Sequence, residues 1–226
     1  MSRPSTAFET EEYIMTSTLY HAGGSPNSRR VRIFIAEKGL NVPLVPVDLG
    51  SKEQFSEAYK AINPRSMVPT LVLDSGVSIA EVPAIWRYLE EIHPETPLLG
   101  STPTEKALVA MWERRVELEG FAAVMEAVRN AVPGLIGRAL AGPHGYAQIP
   151  ELAERSKLRV INFYVDLNQR LNTVPFVAGA HFSAADITAM ATLDFAKGAL
   201  KMAIAEDQTA LQTWYDKVSA RPSMSA

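Results

Sequence analysis

Asn63-Pro64-Arg65-Ser66-Met67-Val68-Pro69-Thr70-Leu71 is the stretch that decides the fold. Thr70 to Leu73 is a short apolar run opened by a proline, and Asp74-Ser75-Gly76 behind it reads as a hairpin turn into Val77 to Ile79. Working outward, Val82 to Ile92 places Ala84, Ile85, Tyr88 and Leu89 on one helical face. Upstream, Thr18 to His21 and Leu44 to Val47 read as strands. Arg30 to Lys38 has helical spacing and a stop at Gly39, and Phe55 to Ala61 reads as a short helix. The order β-α-β-α-β-β-α predicts an α/β sheet with an antiparallel hairpin at its edge.

The rest of the chain is of another kind. His93 to Thr104 carries three prolines and one glycine and reads as a linker. Beyond it, Glu105 to Ala131, Glu151 to Asn172, Ala184 to Ala203 and Gln208 to Ala220 all have helical patterns. Pro133 to Pro150, broken by three prolines and four glycines, reads as a loop. The expected organisation is an N-terminal tail (1–17), an α/β domain (18–99) and an all-α domain (100–226). Met15 offers an alternative start, which would make residues 1–14 a tail.

Composition narrows the chemistry. The 226 residues include no cysteine, so disulfides, thiolate metal sites and a catalytic cysteine are excluded, and any thiol must come from the substrate. The formal net charge of −3 points away from a nucleic-acid partner. No apolar run reaches the roughly 18 residues of a membrane span, and the first residues lack the pattern of a secretion signal. A cytoplasmic location is the expectation. His21, His93, His144 and His181 are scattered without metal-ligand spacing, and no Gly-rich phosphate loop occurs, so neither a metal nor a nucleotide cofactor is expected.

Four stretches resemble the glutathione transferase superfamily when taken in order. They are Ser25-Pro26-Asn27-Ser28-Arg29-Arg30-Val31-Arg32 with Ala36-Glu37-Lys38-Gly39-Leu40; the Asn63 to Leu71 stretch; Ile79-Ala80-Glu81-Val82-Pro83-Ala84-Ile85-Trp86-Arg87-Tyr88-Leu89; and Phe176-Val177-Ala178-Gly179 with Phe182-Ser183-Ala184-Ala185-Asp186-Ile187. The wording is most similar to a bacterial and fungal branch near the theta-type enzymes. The resemblance implies a thioredoxin-like domain that holds glutathione, an all-helical domain behind it, a detoxifying transfer of glutathione to an electrophile or peroxide, and a homodimer.

It also implies site residues. At Val68-Pro69 the proline would be cis, and the preceding main chain would pair with glutathione like an added strand. Glu81 and the Val82 N–H would hold the γ-glutamyl end. Val82 stands where the family carries a hydroxyl, and Pro83 removes a second N–H. Met67 stands where a Lys or Gln often reaches the glycyl carboxylate, leaving Arg65 and Gln54 to substitute. Ser25, or Asn27 or Ser28, would donate a hydrogen bond to the sulfur and favour its thiolate. Ser25 and Ser28 fit equally a plain helix cap. Arg29 and Arg30 would attract the anionic tripeptide or stand as solvated charges. Trp112, Phe121, Met125, Val128, Arg129 and Asn130 are candidates for the acceptor pocket, the apolar ones fitting plain core as well. Ser183 and Asp186 form a capping-box-like pair with a structural role. The departures at Met67, Val82 and Pro83 leave a rival, a binding or assembly module with a degraded glutathione site. A glutathione-linked reductase is the third reading, disfavoured because no cysteine stands at position 25.

Overall fold

A computed structural model describes residues 17–226, so the expected N-terminal tail and the alternative start at Met15 lie outside the described residues except for Ser17. The first layer is a four-stranded sheet in the order β2-β1-β3-β4, built from β1 (Thr18–His21), β2 (Leu44–Pro46), β3 (Thr70–Val72) and β4 (Ser78–Ala80). β1 runs parallel to β2, the pair being joined by α1 (Pro26–Glu37), and antiparallel to β3, where Leu19 and Leu71 face each other fully buried. α2 (Glu57–Ile62) leads to the Asn63 turn, and α3 (Val82–Ile92) follows the hairpin. α1 and α3 pack together, with Phe34 stacked on Trp86 at 5.4 Å between ring centroids. Stacking of this kind adds to the area that both rings bury.

The second layer is helical: α4 (Pro103–Arg115), α5 (Ala122–Ala131), α6 (Pro150–Leu171), α7 (Ala184–Phe195) and α8 (Thr209–Ser219). α7 is buried on all sides from Ala184 to Leu193, as befits the central helix of a bundle.

Several expectations are adjusted by the structure. α1 starts four residues earlier than the apolar spacing suggests, because Ser25 caps it and Pro26 suits the first turn. The short helix is divided: a 3-10 turn (Glu53–Phe55) precedes α2, and Ser56 caps α2 through the Tyr59 N–H. Ala184 to Ala203 stops being helical at Leu200, where Lys201 takes φ 60°. The Pro133 to Pro150 loop holds a 3-10 turn (Pro133–Leu135) and an isolated bridge between Arg138 and Tyr146.

The long helix from Glu105 to Ala131 is interrupted by a π-helical turn (Val116–Phe121), in which the Ala122 N–H bonds Glu117 five residues back. Such turns widen a helix and re-aim its side chains. Gly120 is the reason the packing closes there: a Cβ on it would stand 2.6 Å from Cε1 of Phe163 on α6. Gly120→Ala should therefore destabilise the fold by about 1–3 kcal/mol through overpacking. Urea denaturation of the variant checks this; an unchanged midpoint would mean that Phe163 moves freely.

Candidate functional site

The Asn63 turn is held from inside. Asn63 Nδ2 donates to the Met67 carbonyl (3.0 Å) and to Thr70 Oγ1 (2.9 Å), while Oδ1 accepts from the Arg65 N–H (2.9 Å). The Tyr59 hydroxyl donates to the same Met67 carbonyl at 2.7 Å. Ser66 sits at φ 54°, and the Val68-Pro69 peptide is cis. Nothing among the described residues bonds the Val68 N–H or carbonyl. A partly buried main chain with both groups unpaired is a ledge prepared for an extended ligand.

The start of α3 forms one end of that ledge. Glu81 takes φ 71° and ψ 125°, a conformation that costs a non-glycine residue about 1–3 kcal/mol and clusters at functional sites. Its side chain does not cap the helix. The Val82 N–H has no partner among the described residues, as expected of a first-turn donor.

The start of α1 faces the same cleft. Ser25 Oγ accepts from the Ser28 N–H (3.3 Å), which leaves the Ser25 hydroxyl proton uncommitted. Capping and donation to a ligand are thus compatible in one side chain. Asn27 Oδ1 accepts from Nη1 of Arg30 (3.1 Å). A guanidinium only donates, so the amide nitrogen of Asn27 is the end left for the cleft. Ser28 is different: it is fully buried, and its Oγ accepts from the Ala22 N–H (3.1 Å).

Arg30 lines the cleft but is not the solvated charge that one of its expected roles requires. It is 1% exposed, bonded to Glu113 (2.8 Å), Thr188 (3.2 Å) and Glu117 (3.4 Å), and flanked by the rings of Trp86 and Phe121 at 5.1 and 4.8 Å. Burial drags its pKa down and pushes that of Glu113 up, while their mutual attraction opposes both shifts. Arg29 is half-exposed and paired with Asp194.

These elements line a cleft of about 830 Å³ between the domains. Asn27, Met67, Val68, Pro69, Glu81 and Val82 form one wall. Arg114, Glu117, Leu118, Phe121 and Met125, brought round by the π-helical turn, form the other. A recess of about 200 Å³ continues it, sharing Asn27, Met67, Val68 and Met125 and adding Ser25, Gln54, Ser66, Val128, Arg129 and Arg138. Ser28, Arg65, Trp112 and Asn130 line neither. Arg65 is an exposed loop residue. Trp112 lines a separate groove with Phe163, under Arg115 and Arg170. The Asn130 side chain bonds the Glu126 carbonyl and the Ile149 N–H (both 2.9 Å).

Sequence reasoning missed Ser66, Arg114, Leu118 and Arg138 at this site. Only the three-residue spacing of Asn27 and Arg30 on one helix face carried a signal for the buried arginine.

A sheet with a ledge beside a cis proline, joined to a helical bundle across a cleft, defines the architecture of a glutathione-binding enzyme. The N-terminal and C-terminal domain models of glutathione S-transferases match residues 19–97 and 147–226. Glutathione S-transferase 2 of Saccharomyces cerevisiae is 34% identical over 91% of this chain and 87% of its own length. A glutathione S-transferase domain-containing protein of Marinobacter aquaeolei superposes with a TM-score of 0.84 at 37% identity, over 92% of this chain and 99% of the other. Maleylacetoacetate isomerase of Pseudomonas aeruginosa is 43% identical over a shorter stretch, 39% of this chain and 43% of the relative. The chain belongs to the glutathione S-transferase family and is a glutathione-dependent transferase.

Proposed function

We propose that the protein conjugates reduced glutathione to an electrophilic or peroxide substrate by stabilising its thiolate. The observation that carries this reading is the unpaired Val68 main chain on the cleft wall. Glutathione laid along it pairs with the Val68 N–H and carbonyl. Its γ-glutamyl end meets Glu81 and the Val82 N–H, and its glycyl end runs toward Gln54 and Ser66. The thiol then lies against the start of α1, where the Ser25 hydroxyl and the Asn27 amide donate to sulfur. A free thiol with pKa near 8.5 is mostly protonated at neutral pH; donors and the helix end favour the anion. The thiolate attacks the acceptor, which rests against Phe121 and Met125. With a carbon electrophile the carbon–sulfur bond forms as the leaving group departs, and the thiol proton passes to solvent. With a peroxide the sulfur–oxygen bond forms as the O–O bond breaks and the alcohol leaves, and a second glutathione then displaces water from the sulfenic acid to give glutathione disulfide. The side chains of Met67 and Val82 offer no polar group, so binding rests more heavily on the main chain. Family membership supports a homodimer, and a cytoplasmic, detoxifying role is part of the same reading. No described helix is long and apolar enough to cross a membrane.

Titration calorimetry with reduced glutathione tests the reading. Binding with a Kd of roughly micromolar to low-millimolar order is expected; no heat at several millimolar would overturn it. Ser25→Ala and Asn27→Ala should each lower kcat/KM by about 10- to 100-fold, the worth of one hydrogen bond to a charged group. Each should also move the rate–pH midpoint upward, toward the free thiol. Unchanged rates and midpoints in both variants would remove the α1 start from the chemistry.

A further inference from the structure

The loop from Pro133 to Pro150 leaves its apolar side chains in water. Ile136 is 73% exposed, Leu140 56%, Ile149 52% and Tyr146 48%. Single exposed apolar residues are ordinary, but four on one loop make a patch of the kind that meets a partner. The loop is not loose. The Tyr146 N–H donates to the Gly137 carbonyl (2.9 Å) and the Ala139 N–H to the Tyr146 carbonyl (3.1 Å), which draws its two arms together. Gln148 Nε2 donates to the Arg129 and Val132 carbonyls (both 2.8 Å), and the Ile149 N–H to Asn130 Oδ1 (2.9 Å), which ties the second arm to the end of α5. The patch is thus displayed on a bonded main chain.

The charge on this loop has one sign. No acidic residue occurs between Glu126 and Glu151, a stretch that holds Arg129, Arg138 and His144. Of the flanking acids, Glu126 is spent on Ser156 and Arg159, and Glu151 stands in the first turn of α6, where it suits the helix start. Arg138 lies over the ring of Phe55 at 4.9 Å, and a Cβ on Gly142 would stand 3.8 Å from the Arg65 carbonyl. The loop therefore rests on the first domain beside a further exposed arginine. Among the described residues neither Arg65 nor Arg138 has an acidic partner within salt-bridge distance. The loop also roofs the recess, through Leu135, Arg138, Ala141 and Gly142. A partner that covers this patch needs an apolar body and negative charge together. Anionic head groups over a hydrocarbon layer have both: apolar side chains enter the boundary while arginines stay among the head groups.

We propose that the Pro133 to Pro150 loop docks on an anionic lipid surface, with Ile136 and Leu140 entering the apolar layer and Arg65 and Arg138 drawing the negative charge. The inference goes beyond the transferase reading, because it sets the roof of the recess at a lipid boundary. It is measured without glutathione, so its failure and the failure of that reading are separate results.

Flotation of the full chain with lipid vesicles tests the proposal. Binding to vesicles of phosphatidylglycerol and phosphatidylcholine should exceed binding to phosphatidylcholine alone by about tenfold or more, and should weaken as salt rises. Ile136→Ser combined with Leu140→Ser should lower binding to the mixed vesicles by about tenfold or more, the effect of returning two apolar side chains to water. Arg65→Gln should lower it by about fivefold and flatten its salt dependence. All three side chains are exposed, so each variant should melt within about 2 °C of the wild type. No binding to the mixed vesicles, equal binding to both kinds, or binding unchanged in the serine variant would each overturn the proposal. Sedimentation of the protein without lipid supplies the remaining arm. A particle mass that falls in the serine variant would give this face to a second copy of the chain and overturn the lipid assignment as well.

Discussion

Arg30→Met is expected to lower stability by about 3–5 kcal/mol, because it leaves the buried Glu113 carboxylate without its cation. For a chain of this size that corresponds to a melting temperature lower by roughly 6–20 °C. The loss has three parts in the structure: the pairs to Glu113 and Glu117, the bond to Thr188, and the packing between Trp86 and Phe121. Arg30→Lys should recover only part of it, since an ammonium lacks the fork that serves these partners together. Glu113→Gln in the Arg30→Met background should restore stability by removing the orphaned charge, a coupling that a double-mutant cycle measures. Turnover should fall further than stability accounts for, because Asn27 loses the bond that turns its amide nitrogen to the cleft. Urea denaturation and kcat on the folded fraction check both statements. A melting temperature within about 2 °C of the wild type would mean that water or a rearranged Glu113 replaces the arginine.

Asp186→Ala is expected to cost at least about 3 kcal/mol, since it orphans three buried N–H donors at once. Asp186 is fully buried at the start of α7. Oδ1 accepts from the Val177 N–H and from Trp214 Nε1 (both 2.9 Å), tying the Phe176 to Gly179 turn and α8 together. Oδ2 accepts from the Ser183 N–H (3.0 Å) and hydroxyl (3.1 Å), the reciprocal contact expected of a capping pair. Asp186→Asn keeps the shape but sets its NH2 group against the Ser183 N–H, so it should fall between the alanine variant and the wild type. Burial pushes the carboxyl up to about 6, with the four donors opposing. The folded state therefore holds the proton more tightly than the unfolded one. The contribution of this group is largest below its ordinary 3.8 and is lost as pH rises through about 6. The gap in stability between wild type and Asp186→Asn should accordingly be wider near pH 5 than near pH 7.5. An equal gap at both would mean that the folded pKa is not raised above its unfolded value.

The legible parts of this protein were those with a local physical cause. α3 could be bounded at Val82 and Ile92 because a proline opens it and one apolar face runs its length. The hairpin at Asp74-Ser75-Gly76 followed from turn chemistry. Ser183 and Asp186 could be read as structural from their spacing alone. The ledge at Val68 was legible only as a motif, since an unpaired main chain has no residue type of its own.

What could not be read depended on distant partners. Arg30 looks like any charge on a helix start until Glu113, Glu117, Thr188 and Phe121 of the second domain and Trp86 of the first close around it. The π-helical turn at Val116 to Phe121 has no strong breaker; it arises where Gly120 meets Phe163. Arg138 sits in a loop whose course no periodicity describes, and Ser28 and Asn130 look available in sequence but are spent inside the fold.

The sequence by itself determined the two layers, the hairpin turn and the Ser183–Asp186 cap, because each is decided by residues within a few positions of one another, and its lack of cysteine means that any thiol must come from the substrate. Only the tertiary structure decided which side chains share the cleft. That set includes residues 25–27, 54, 66–69, 81–82, 114, 117, 118, 121, 122, 125, 128, 129 and 138. Bringing them together takes the closure of long loops and the burial of one domain's polar groups against another's, and neither leaves a local trace in the chain.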